Sequence, residues 1–175
     1  MSAEARFDGG QGKMATGALR IALAGNPNCG KTTVFNAYTG ARQHVGNYPG
    51  VTVDRKEGHV RHGNVDITLV DPPGTYSLTA YSMEELVARA ELGSGDVQAV
   101  INVVDASALE RNLLLTVQMM EMGLPVVLVC NMMDEARKAG VHIDMERLSR
   151  MMGIPVVSAV ARTGEGLQKA LGEAA

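Results

Sequence analysis

The run Gly25-Asn26-Pro27-Asn28-Cys29-Gly30-Lys31-Thr32 satisfies the pattern G-x-x-x-x-G-K-[ST] at each constrained position. That pattern leaves few folds open, because a strand must deliver its first glycine and a helix must begin at its lysine. The glycines let the backbone wrap closely around phosphate oxygens. Lys31 places an ammonium near the β and γ phosphates, and Thr32 offers a hydroxyl to Mg²⁺. The neighbours agree: Leu19 to Ala24 is an apolar run that reads as a buried strand, and Thr33 to Tyr38 reads as the helix whose N-terminus meets the anion. Cys29 reads either as a small loop residue or as a redox-sensitive thiol beside bound phosphate.

The rest of the chain repeats the strand-then-helix rhythm. Residues 1–17 carry four glycines and little periodicity, and read as a disordered leader or remnant outside the fold, leaving 18–175 as one domain. Gly40 to Lys56 is polar and Gly-rich and too long for an ordinary connection, so it reads as a functional loop. Gly58 to Arg61 and Val65 to Val70 flank His62-Gly63-Asn64 and read as an antiparallel hairpin. Ser82 to Leu92 is helical with Ser82 as cap and Glu85 completing a capping box. Val97 to Val104, Pro125 to Val129 and Ile154 to Val157 read as strands; Leu109 to Met122, Ile143 to Met152 and Gly166 to Ala174 read as helices. The pattern predicts an α/β three-layer sandwich of the phosphate-loop NTPase kind. Its mostly parallel six-stranded sheet carries one antiparallel hairpin strand and about five helices, with ligand loops at the carboxyl ends of the strands.

Composition narrows the partners. A formal charge of −3 argues against a phosphate-backbone partner, so no nucleic acid is expected. No apolar stretch reaches the roughly 18 residues that span a bilayer, and the sequence reads as cytoplasmic. Trp is absent and Met numbers 11, so the core is read as aliphatic, with Met119, Met120, Met122, Met132, Met133, Met151 and Met152 mostly as filler. The four histidines show no metal-ligand spacing and read as surface residues.

Asp71-Pro72-Pro73-Gly74 follows an apolar strand, where an Asp holds Mg²⁺ through water and the Gly74 amide meets the γ phosphate. Thr52, with Gly50 and Val51 in the long loop, supplies a second hydroxyl for Mg²⁺, so the Mg²⁺ set is Thr32, Thr52 and Asp71. That loop becomes a candidate switch, ordered by the triphosphate. Here the chain resembles a translation-factor-like GTPase. Asn131-Met132-Met133-Asp134 matches the guanine motif N-K-x-D except that Met132 replaces Lys. The two carboxylate oxygens of Asp134 match the N1 and N2 donors of guanine, and Asn131 ties loops together and meets the base edge. Ser158-Ala159-Val160 resembles the S-A-K element, in which the Ala159 amide meets guanine O6. The departures at Met132 and Val160 leave some ATP use open.

From about residue 19 to 172 the chain is similar to the cytosolic G domain of FeoB, the bacterial ferrous-iron transporter family. Gly25 to Asn28, Val45 to Val53, Asn102-Val103-Val104-Asp105, Leu109 to Leu113 and Asn131 to Asp134 carry the resemblance. It implies GTP hydrolysis in a protein of the inner membrane. It also implies helical regulatory and transmembrane iron-transport domains, which this sequence does not contain, as partners of the G domain. Thr75 stands where many small GTPases place a water-orienting Gln, which predicts slow intrinsic turnover. In this family a K⁺ ion bridges the α and γ phosphates in place of an arginine finger; its ligands would be Asn28 and the backbone carbonyls of Gly46 and Tyr48. Asn28, Lys31, Thr52 and Gly74 are then the catalytic set. Two readings stay open beside it: a K⁺-activated GTPase of tRNA modification or ribosome assembly, and a regulatory GTP-binding module with negligible hydrolysis.

Overall fold

Alternation within Ile21-Ala22-Leu23-Ala24 sets the first strand at the centre of the molecule. In the computed structural model, which describes residues 18–40 and 42–175, strand β1 (Leu19–Gly25) is buried on both faces. Ile21 and Leu23 pack with Phe35, Leu69, Ile101 and Leu171 on one side. Ala22 and Ala24 pack with Val70, Leu92, Leu115 and Met119 on the other. The period of two puts successive side chains on opposite faces, and a strand apolar at every position is one covered twice. The leader expected at residues 1–17 lies outside the described residues.

Six further strands complete the sheet: β2 (Gln43–Asn47), β3 (Asp54–His62), β4 (Val65–Asp71), β5 (Ala99–Asp105), β6 (Val126–Asn131) and β7 (Val156–Ser158). Their order is β2-β3-β4-β1-β5-β6-β7. β1 pairs in parallel with β4 and β5, and β5, β6 and β7 continue in parallel. β3 is antiparallel to both β2 and β4, so it alone runs against the rest. The expected sandwich and hairpin are therefore present, with a seventh strand. β2 occupies part of the segment read as a loop; all five of its residues are exposed, so no apolar alternation marks it. It exists because its backbone pairs with β3.

The helices are α1 (Lys31–Thr39), α2 (Met83–Leu92), α3 (Leu109–Glu121), α4 (Met133–Lys138), α5 (Met145–Met152) and α6 (Leu167–Ala174). Local chemistry fixes their starts. Ser82 Oγ accepts from the Glu85 N–H at 3.1 Å, while the Glu85 carboxylate accepts from the Tyr81 N–H at 2.9 Å, one residue further out than the reciprocal capping box. Asp144 caps α5 by accepting from the Arg147 N–H at 2.9 Å. α1 and α6 cover one face of the sheet and α2 and α3 the other; α4 and α5 close the β6–β7 end. Met119 and Met133 are buried as expected, whereas Met122 and Met151 are exposed, because each lies on the outer side of its helix end. No helix among the described residues is long and apolar enough to cross a membrane.

Candidate nucleotide-binding site

The loop between β1 and α1 lies at the carboxyl end of the central strand. Asn28 and Gly30 adopt left-handed conformations, φ 66° and 87°, and such alternation turns successive amides into a concave anion-binding nest. The N-terminus of α1 opens onto it with no side-chain cap, leaving its first N–H groups for a ligand. A β-carbon on Gly25 would lie 2.6 Å from the Val103 carbonyl oxygen and 2.7 Å from Cys29 Sγ, so the first glycine is required by close packing. Cys29 is buried, and burial pushes its thiol up to about 11; this supports the small-loop-residue reading over the redox one.

Lys31 donates to Asp71 Oδ1, and also to the Pro72 carbonyl at 2.7 Å. Both side chains of the ion pair are largely buried. The Thr75 N–H donates to the Gly25 carbonyl at 3.1 Å and so pins the segment after β4 beside the cradle. Thr75 is itself buried, its hydroxyl donating to the Ser77 carbonyl at 2.6 Å, so that side chain is not directed at a nucleophilic water. Asn26, Pro27, Asn28, Gly30, Lys31, Thr32, Thr52, Asp71, Pro72, Pro73 and Gly74 all line one cavity of about 810 Å³. Asp54, Lys56, Met83 and Glu84 join them; no motif pointed to these four, which are brought in by β3 and the start of α2.

A smaller cavity of about 230 Å³ adjoins it, sharing Gly30 and Met132 and lined also by Thr33, Asn131, Asp134, Glu135, Val160, Ala161 and Arg162. The buried Asn131 carboxamide donates to the Cys29 carbonyl at 3.0 Å and accepts from the Ala161 N–H at 2.9 Å, tying three loops together as expected. Met132 holds φ 61° at the start of α4, which turns Asp134 toward this cavity. The Ser158-Ala159 expectation needs correction. The Ala159 N–H donates to the Cys130 carbonyl at 2.9 Å, continuing the β6–β7 pairing, and is not available to a base. Val160, the third residue of that expectation, does line the pocket, whose wall continues through Ala161 and Arg162.

The family described as ferrous iron transport protein B matches residues 19–174. The chain belongs to the FeoB family. It is 57% identical over 150 residues to an Fe(2+) transport protein A/Fe(2+) transporter FeoB fusion protein of Porphyromonas gingivalis, covering 85% of this chain and 18% of that protein. It is 53% identical to the Fe(2+) transporter FeoB of Salmonella typhimurium, covering 86% and 20% respectively. The chain thus spans about a fifth of the length of these relatives. Among solved structures, the G domain of T. maritima FeoB superposes with a TM-score of 0.84 at 44% identity, over 89% of this chain and 96% of that one. A mutant S. thermophilus NFeoB bound to mGDP gives 0.86 at 45% identity, over 90% and 60%. The chain's fold is that of these FeoB structures.

The segment read as a candidate switch lies at the sheet edge. Gly46 is in β2 opposite Arg55. Tyr48 to Val53 make the turn, closed by the Tyr48 N–H on the Val53 carbonyl at 2.9 Å. Tyr48, Gly50, Val51 and Thr52 line a neighbouring cavity with Asn47 and Met83. Thr52 alone of the switch positions expected to touch nucleotide or ion also lines the phosphate cavity; Asn28, Gly46 and Tyr48 do not share a cavity. Behind the turn, the Arg55 guanidinium sits 5.7 Å from the Tyr48 ring centroid and bonds Glu57 at 2.7 Å. Arg20 bridges Glu57 and Glu91, each at 2.8 Å. Burial works to raise the Glu57 carboxyl, but Arg20 and Arg55 together hold it below its usual value.

Proposed function

We propose that this domain binds guanine nucleotides and hydrolyses GTP with Mg²⁺ and K⁺, and that its nucleotide state regulates Fe²⁺ uptake by the longer membrane protein of which it is part. One observation carries the reading: the phosphate cradle and the Asn131–Asp134 pocket are adjacent cavities joined at Gly30 and Met132. A single nucleotide placed across that junction meets Lys31 with its phosphates and Asp134 with its base. The similarity to the G domain of T. maritima FeoB and to the mGDP-bound S. thermophilus NFeoB mutant supports it. The relatives' names as Fe(2+) transporters and their greater length support the regulatory and transmembrane domains of a longer protein as its partners.

Thr32, Thr52 and Asp71 would hold Mg²⁺: two hydroxyls and a buried carboxylate are the hard oxygen donors that ion favours, and all three line the phosphate cavity. When bound, Mg²⁺ supplies charge neutralisation across the β and γ phosphates. Asn28 and the carbonyls of Gly46 and Tyr48 would hold K⁺; as uncharged oxygens they suit a monovalent cation, and they would come together once the switch turn moves over the cradle. The chain's own work is then positional. Lys31 leaves Asp71 for the phosphates, the α1 amides and Gly74 N–H hold oxygens, and Asp134 orients the base. Competition of GTP and ATP against a fluorescent GTP analogue, with single-turnover phosphate release, tests the reading. GTP should win and phosphate should appear; equal affinities would overturn the guanine assignment, and absent release the hydrolysis.

A further inference from the structure

The acceptor that would read guanine is already engaged. Arg162 Nη2 donates to Asp134 Oδ2 at 2.7 Å. Arg162 lies in the loop between β7 and α6. Its side chain is 74% exposed against 25% for Asp134, so a long solvated side chain closes over a recessed carboxylate. Both residues line the same cavity, with Glu135 as the other charged group there. The Arg162 side chain makes no other hydrogen bond among the described residues. Its loop is held by backbone bonds instead, from Val160 N–H to Glu165, Thr163 N–H to Val160 and Gly164 N–H to Ala161.

A guanidinium and the N1–N2 edge of guanine are alike in what they show a carboxylate: adjacent N–H donors in one plane. A base docked on both oxygens of Asp134 requires the one that Arg162 holds. We infer that Arg162 is an internal competitor of guanine for Asp134, displaced when the base docks, and that it thereby lowers guanine-nucleotide affinity and narrows the preference for guanine over adenine. The inference rests on the guanine-reading role proposed for Asp134. Adenine lacks that donor pair and gains nothing by displacing Arg162. An exposed ion pair of this kind corresponds to a factor of about two to five in affinity.

The test is the affinity of the domain, with and without Arg162→Ala, for GDP, IDP and ADP, measured by displacement of a fluorescent GDP analogue. GDP should bind about two- to fivefold tighter to R162A. IDP, which keeps N1–H but lacks the 2-amino group, should gain less, and ADP should not change. In an Asp134→Asn background the R162A effect should vanish. Unchanged or weaker GDP binding by R162A, while D134N still loses GDP affinity, would overturn the competitor role and leave the guanine reading intact. If D134N keeps full GDP affinity, the guanine reading itself fails and the competitor role falls with it.

Discussion

The Asn131 side-chain nitrogen stands where a β-carbon on Gly30 would have to go. The second glycine of the phosphate loop is therefore set by the base-pocket motif as well as by its own φ of 87°. Alanine at position 30 would need a left-handed backbone and would expel the Asn131 carboxamide. Gly30→Ala and Asn131→Ala should both leave the Cys29 carbonyl and Ala161 N–H buried without partners, costing about 1–3 kcal/mol. At about 2–4 °C per kcal/mol for a domain of this size, calorimetry should show a drop of several degrees in Tm for each. An unchanged Tm in either variant would refute the coupling.

Asp134→Asn should invert base preference. An amide presents one donor and one acceptor, matching xanthine in place of guanine, so GDP affinity should fall about 100-fold or more while XDP binding appears. Titration with both nucleotides checks it, and parallel losses for the two would mean that the pocket had collapsed.

Lys31 and Asp71 neutralise each other in this structure, and the proposed nucleotide and Mg²⁺ site requires them to separate. Asp71→Asn frees Lys31 while weakening the Mg²⁺ site. GDP binding in EDTA should be retained or tightened, and the gain from adding Mg²⁺ should shrink several-fold; an undiminished Mg²⁺ effect would place the ion elsewhere. Lys31→Ala should abolish tight binding in either condition.

Potassium dependence isolates Asn28. Phosphate release should be faster in KCl than in NaCl for the unsubstituted domain, and Asn28→Ala should bring the KCl rate down to the NaCl rate with GDP affinity little altered. Equal rates in the two salts would end the K⁺ proposal.

Burial pushes the Cys130 thiol up to about 12 and that of Cys29 up to about 11. In the unfolded chain both ionise near pH 8.5, so above that value the unfolded state binds fewer protons than the native one and stability falls with rising pH. The contribution is whole below pH 8.5 and is lost progressively up to about 11 for Cys29 and about 12 for Cys130. Urea midpoints between pH 8 and 11 should decline less steeply in Cys130→Ala; identical slopes would show that the thiol ionises equally in both states.

Much of this domain was legible because its chemistry leaves little freedom. The phosphate loop needs its glycines, Lys31 and Thr32 at fixed spacing, and β1, β4, β5 and β6 announce themselves as buried runs. β2 was not legible, because Gln43 to Asn47 faces solvent at every position and only the partner strand makes it a strand. α4 was missed at six residues, too short to show a period. Of Ser158-Ala159-Val160 only Val160 lines the pocket, because Ser158-Ala159 fits a template that constrains little more than small size, whereas the β6–β7 pairing that occupies the Ala159 amide is a tertiary fact. Arg162 carried no motif signal; only its approach to Asp134 in space brings it to notice.

The strand that carries Gly46 sits outermost in the order β2-β3-β4-β1-β5-β6-β7 and buries none of its side chains. Peeling it away would sacrifice one hairpin ladder and disturb neither aliphatic layer. The segment proposed to move is thus mechanically insulated from the part that keeps the domain folded: substitutions in β2 should cost little robustness, whereas the same freedom is denied to every strand from β4 inward.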